Sequence, residues 1–140
     1  MTQLELCKVV ATIAHAGQFR RDGITPYITH PEAVANSLEN EELKCVAWLH
    51  DVLEDTKVTF RNLIDIGIHP SIVVSANFLS KNDIKNEAYL DSYLKYIVAI
   101  KVARPDLIPV KLADIAHNMS SNPTRKQTEK YTKALEILNS

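Results

Sequence analysis

Near the start of the chain, Leu4, Leu6, Cys7, Val10, Ala11 and Ala14 recur at helical spacing behind Thr2, a residue type suited to an N-cap. The spacing predicts a first helix over 4–14 that ends near 15–17. Residues 18–29 contain Asp22, Gly23 and Pro26 but no clear period, and read as an ordered loop. Pro31 suits a first helical turn, where its missing N–H leaves no bond unmade, and opens a second helix over 31–38. A third helix carries Leu43, Val46, Ala47, Leu49, His50 and Leu53 as far as 55 or 56. Thr59 caps a short helix that stops before Gly67, and Pro70 opens another through Ile72, Val73, Ala76 and Leu79. Asp83 is the next cap, followed by helices over 87–103, 106–119 and 124–138. No segment shows the alternation of a half-buried strand. The expected fold is therefore all-α: a compact single-domain bundle of at least six helices, with no internal repeat.

Length and composition fit that picture. A chain of 140 residues matches one domain, 1–140, with a core large enough to fold unaided. Apolar residues are 46% and charged residues 24%, near the globular average, so disorder is excluded as a reading. Sixteen basic residues against seventeen acidic ones give a net charge of −1, which removes the broad positive field that sequence-independent nucleic-acid binding needs. Cys7 and Cys45 each lie in a helical apolar pattern without a second cysteine at metal-ligand spacing, and are expected to be buried thiols. The opening MTQLELCKVV has no basic stretch followed by an apolar core, and no apolar run approaches the roughly 18 residues of a membrane span. A cytoplasmic protein without membrane partner is expected.

The densest chemistry lies in His50-Asp51-Val52-Leu53-Glu54-Asp55-Thr56, four titratable side chains near the end of an apolar helix. His50 and Glu54 are four apart, as are Asp51 and Asp55, so the group projects from one end of that helix on neighbouring faces. Acids are unfavourable at the negative end of a helix dipole, and a divalent cation would compensate them. Further ligands would have to come from elsewhere in the chain. His30 sits where the ordered loop meets a proline-started helix, a place from which a rigid backbone can aim a side chain. Asp114 lies mid-helix, where aspartate has poor propensity, beside an apolar face of Leu112, Ile115, Ala116 and Met119, and shares a stripe with Asn118. Locally, His30 also suits a capping or packing role and Asp114 a solvated one. The pair Arg20-Arg21 could hold one phosphorylated ligand or stack on a base, or could simply be a solvated turn.

In combination these residues follow the H…HD…D order of the HD-domain metal phosphohydrolases, an all-α superfamily. The segments GQFRRDGITPYITHP, AWLHDVLEDT and VKLADIAHNM resemble, more narrowly, the hydrolase domain of RelA/SpoT homologues, the small alarmone hydrolases among them. The resemblance runs from about Gly17 to Met119. It implies hydrolysis of the 3′-pyrophosphate of the alarmones ppGpp and pppGpp, giving GDP or GTP and pyrophosphate. His30, His50, Asp51 and Asp114 match the family's metal ligands, typically for Mn²⁺, although two imidazoles and two carboxylates would also accept Zn²⁺, Fe²⁺ or Co²⁺. Glu54 and Asp55 match the acidic pair that activates water. Arg20 matches an arginine that packs on guanine, and Asn118 a residue at the sugar and phosphate side. Tyr27 and Arg21 stand in motif positions, for loop support and a phosphate contact. His15 and His117 match no ligand and read as structural or supporting. The chain departs from the family at Ile115-Ala116, where Arg-Leu is usual, which implies either a reduced affinity for a highly charged pyrophosphate or contacts supplied by Lys81, Lys111 or Lys126. The alternatives are another nucleotide substrate, such as a dNTP or NADPH, and a non-catalytic nucleotide sensor.

Overall fold

The computed structural model describes residues 1–80 and 89–140, with the side chains of 1–80 and 90–140. The expected cap Asp83, the cation Lys81 and the expected helix start at 87–88 lie outside the described residues. Among those described, every named element is helical, and the one β-type pairing is an isolated bridge between Phe19 and Pro26. No described helix is long and apolar enough to cross a membrane. The chain divides into two units, Met1–Ser80 and Lys81–Ser140.

The first unit contains α1 (Gln3–Ala14), α2 (Thr29–Asn36), α3 (Glu41–Leu49), α4 (Val52–Asp55), α5 (Phe60–Ile66) and α6 (Pro70–Leu79). Its centre is α3, which packs against α1, α2 and α6. Five successive residues of α3, Cys45 to Leu49, are buried, the signature of a helix enclosed on all sides rather than one with a wet face. Asn40 caps α3 by accepting from the Leu43 amide at 2.9 Å, and Thr2 caps α1 through the Glu5 amide at 3.1 Å. Thr59 and Asn62 form a reciprocal capping box on α5, which ends at Gly67 with φ +107°, a conformation that favours glycine. Gln3 donates to the Gly67 carbonyl and accepts from the His69 amide, tying α1 to the turn between α5 and α6. Cys7 and Cys45 are buried free thiols, as their positions imply.

The second unit contains α7 (Tyr89–Ala103), a 3-10 turn (Pro105–Leu107), α8 (Ile108–Ser120) and α9 (Arg125–Leu138). α9 packs on α7 and on α8. Its buried apolar set includes Tyr93, Ile97, Ile100, Leu107, Val110, Ile115, Tyr131, Ala134 and Leu138.

Three details differ from the expectation. The third helix is not continuous to 55: it breaks at His50 and Asp51, and Glu54 and Asp55 belong to the separate one-turn α4. The helix expected from Asp106 opens as a 3-10 turn, since Pro109 lacks the N–H that a continuous α-helical ladder would direct at the Pro105 carbonyl. Ala116 is exposed, and the buried side of α8 is Val110, Lys111, Asp114 and Ile115. The apolar stripe mislocated that face because it counted only apolar residues, whereas a lysine and an aspartate that pair can also be buried.

Leu63 is fully buried in the short α5, so Leu63→Ala is expected to cost about 2–5 kcal/mol, read as a lower urea midpoint at unchanged slope.

Candidate metal centre

The break between α3 and α4 is what brings a histidine and an aspartate to one point. His50 is the last helical-type residue after α3, and Asp51, at φ −96° and ψ −8°, lies in the bridge region, where many active-site residues sit. Both side chains are buried, as is His30 in the first turn of α2. One ligand atom from each of His30, His50 and Asp51 lies within 4.8 Å of the others. His50 Nε2 is 3.1 Å from Asp51 Oδ2, and His30 Nε2 is 3.7 Å from the same oxygen.

Tautomers can be read from the partners. His50 Nδ1 lies 2.5 Å from the Ala47 carbonyl, which can only accept, so Nδ1 carries the proton. Nε2 then presents its lone pair toward a carboxylate oxygen that is also an acceptor. Two facing acceptors at 3.1 Å call for positive charge, either a second proton on His50 or a cation. A backbone carbonyl behind a histidine is also the usual support of a metal-ligating imidazole. The donor set of two imidazoles and a carboxylate thus fits a divalent transition metal.

Tyr27 closes the same centre, donating its hydroxyl to Asp51 Oδ2 at 2.8 Å. Its ring lies 5.0 Å from that of His15 and 5.9 Å from that of His30, centroid to centroid. The Arg20 guanidinium lies over this ring, 5.9 Å from its centroid. The expected loop-supporting role of Tyr27 therefore includes a direct contact with the aspartate of the HD pair.

The loop itself is built from its own polar groups. The amide of Arg20 donates to the Thr25 carbonyl at 2.7 Å, and that of Tyr27 to the Gln18 carbonyl at 2.8 Å. Asp22 accepts from the Thr25 hydroxyl and from the Thr25 and Ile24 amides. Those bonds, that from the hydroxyl first, lower the Asp22 pKa to about 2. Arg20 is half-buried on this loop and Arg21 is exposed.

Of the acidic pair, Glu54 is half-buried and Asp55 exposed. The dipole argument for a cation does not survive the helix break, because both acids sit in a helix of one turn. The positive charge is called for by the His30, His50 and Asp51 cluster instead. His15, which matched no ligand, is buried beside Tyr27, and burial pushes its pKa down, so the ring is neutral.

In the second unit, Asp114 is buried and meets the Lys111 ammonium at 2.7 Å through Oδ2, while Asn118 donates to Oδ1 at 3.4 Å. Desolvation pulls the Lys111 pKa down, but Asp114 and the hydroxyls of Tyr96 and Tyr93 raise it further, so Lys111 stays charged. Lys111 is consequently not a spare charge that could replace the arginine missing at Ile115-Ala116. Lys126 is exposed on α9. Two side-chain roles escaped sequence reasoning, the pairing of Lys111 with Asp114 and the contact of Gln18 with α4. Lys111 carried a usable signal, its i, i+3 spacing to Asp114. Gln18, whose amide donates to the Asp55 carbonyl at 2.9 Å, carried only its place in the first motif.

A helical fold with a buried His–His–Asp cluster defines an all-α domain with a candidate divalent-metal site. More narrowly, the chain is similar over nearly its whole length to proteins named as (p)ppGpp synthases and hydrolases. It is 35% identical over 145 residues to the bifunctional (p)ppGpp synthase/hydrolase SpoT of Escherichia coli K12, which covers 97% of this chain and 20% of that protein. It is 34% identical over 139 residues to a guanosine-3′,5′-bis(diphosphate) 3′-pyrophosphohydrolase of Haemophilus influenzae, covering 93% and 20%. A GTP pyrophosphokinase of Streptomyces coelicolor is 33% identical, covering 99% and 17%. The chain thus spans about a fifth of the length of these relatives. No family model matches. Among solved structures, a metazoan ortholog of SpoT described as hydrolysing ppGpp aligns with a TM-score of 0.81 at 18% identity, covering 100% of this chain and 87% of that one, which establishes the shared fold.

Two outcomes follow from this geometry. Lys111→Met leaves the Asp114 carboxylate buried without its cation and is expected to cost about 3–5 kcal/mol, measured by chemical denaturation. Because the folded pKa of Asp22 lies below its ordinary value of 3.8, its contribution to loop stability is present above that value and is lost as pH falls through about 2. Amide NMR should therefore show residues 20–25 loosening in that window, and Asp22→Ala should show them loose at neutral pH.

Proposed function

We propose that the chain hydrolyses the 3′-pyrophosphate of ppGpp and pppGpp, using a divalent cation held by His30, His50, Asp51 and Asp114. The observation that carries this reading is the pair of facing acceptors, His50 Nε2 and Asp51 Oδ2, with His30 beside them. It is supported by the similarity to proteins named for ppGpp 3′-pyrophosphohydrolysis over nearly the whole chain. Mn²⁺ is the proposed ion, consistent with the mixed nitrogen and oxygen donors.

A divalent ion supplies polarisation of a phosphoryl oxygen and acidifies water. The chain's own residues do the rest. Glu54, the less exposed of the two acids, takes the proton of the attacking water as general base, and Asp55 orients that water through its second hydrogen. The water oxygen bonds to the phosphorus attached to the ribose 3′ oxygen. That P–O bond breaks, the proton taken up by Glu54 passes to the departing 3′ oxygen, and GDP or GTP leaves with a free 3′ hydroxyl while pyrophosphate keeps the water oxygen. Arg20, whose guanidinium lies 5.9 Å from the Tyr27 ring centroid, packs on a guanine base. Arg21 meets a phosphate, and Asn118 the sugar and phosphate side. Tyr27 keeps Asp51 aimed by its hydroxyl hydrogen bond.

Incubation of the purified chain with Mn²⁺ and ppGpp, dNTPs or NADPH separates the possible substrates. ppGpp should yield GDP and pyrophosphate, whereas consumption of a dNTP or NADPH with ppGpp intact would replace the alarmone assignment. Nucleotide binding without any turnover would favour the sensor. Asp51→Asn should remove metal binding, seen by calorimetry, together with turnover. Glu54→Gln should retain the metal and lose about 10²–10⁴-fold in kcat.

A further inference from the structure

Gln18 uses both ends of its side chain. Its Nε2 donates to the carbonyl of Asp55 at 2.9 Å, and its Oε1 faces His15 Nδ1 at 2.7 Å. The Asp55 carbonyl can only accept, so the NH₂ group must face it, and Oε1 must face the imidazole. His15 therefore carries its proton on Nδ1. The other ring nitrogen, Nε2, is an acceptor without a hydrogen-bond partner among the described residues, in a side chain that is 2% exposed. A buried polar atom without a partner is destabilising. Phenylalanine would fill comparable space without that cost, so what the imidazole contributes at this position is its one N–H, directed at Gln18.

The same loop is fixed at its other end. Tyr27 donates its hydroxyl to Asp51, and the Tyr27 amide bonds to the Gln18 carbonyl at 2.8 Å. Gln18 and Tyr27 thus hold the two ends of α4, one at the Asp55 carbonyl and the other at the Asp51 carboxylate. Within α4 and its caps the backbone bonds are few: Asp55 to Asp51 at 2.8 Å and Thr56 to Val52 at 3.1 Å. A single helical turn does not hold itself, since nucleation is unfavourable, and its conformation depends on outside anchors.

We propose that Gln18, oriented by His15, is a positioning residue that fixes the α4 turn and thereby aims Glu54 and Asp55 at the attacking water. The catalytic half of this inference rests on the proposed hydrolase reading; the structural half does not. Gln18 touches neither substrate nor metal in this role. Its effect passes through the Asp55 backbone.

The test compares Gln18→Leu, His15→Phe and His15→Asn in the full chain. Asparagine offers an amide N–H close to where Nδ1–H stands, so it should restore the bond that phenylalanine removes. With Mn²⁺ and ppGpp, Gln18→Leu and His15→Phe should each lower kcat about 10²-fold, the scale of a displacement near 1 Å, with KM and metal affinity unchanged. His15→Asn should recover most of the rate. In metal-free protein without nucleotide, the Asp55 and Thr56 amides should exchange at least about tenfold faster in Gln18→Leu, while the amides of α3 keep their protection.

Unchanged exchange in α4, or a loss spread over α3 as well, would overturn the positioning role. So would a fall in kcat matched by loss of metal affinity, or failure of asparagine to outperform phenylalanine. If the unsubstituted chain does not consume ppGpp, the hydrolase reading fails, and the exchange measurement still decides whether Gln18 holds α4.

Discussion

A single carboxylate oxygen organises the first unit. Asp51 Oδ2 takes the Tyr27 hydroxyl and lies within 3.1 Å and 3.7 Å of imidazole nitrogens from His50 and His30. A buried carboxylate is tolerated only with such company, because desolvation without a partner is costly. To bring that company together the chain must break the third helix, set the ordered loop against the break, and start α2 with His30 in its first turn. Each of these local choices looks unrelated in the sequence, and each is required by the same oxygen.

The protein buries a second carboxylate in another way. Asp114 is matched by a full ammonium charge from Lys111, itself enclosed by Tyr93 and Tyr96. The two aspartates, both named as ligand positions by the family resemblance, therefore start from different electrostatic states. Asp51 meets two imidazoles and a phenol, none of which carries a permanent charge. Asp114 is already neutralised by a permanent cation, so any ion it met would compete with, or share it with, that ammonium.

Much of the fold was legible because helix ends announce themselves chemically. Thr2 and Thr59 cap the helices they were expected to cap, and Pro70 opens α6. The candidate ligands His30, His50 and Asp51 were also legible, since titratable groups among apolar neighbours stand out. What escaped reading was polar geometry inside apolar pattern. The break at Asp51 hides because Val52 and Leu53 continue the apolar rhythm of α3. Burial of Lys111 hides because a lysine counts as wet until its partner is found. Gln18 hides because a neutral amide has no charge to draw notice, and its importance lies in which of its two ends faces a carbonyl.

The loop that carries Arg20 and Arg21 is folded by its own bonds: a turn knotted on Asp22, a two-point backbone ladder, and left-handed glycines at 17 and 23 where the chain reverses. Ordering a flexible loop on contact with a ligand withdraws entropy from the binding free energy, at a cost that grows with each side chain immobilised. Here that ordering belongs to folding. Any ligand that bound at this surface would meet arginines on a loop ordered beforehand, and discrimination between ligands would fall to the fit of that loop rather than to how well each one could mould it.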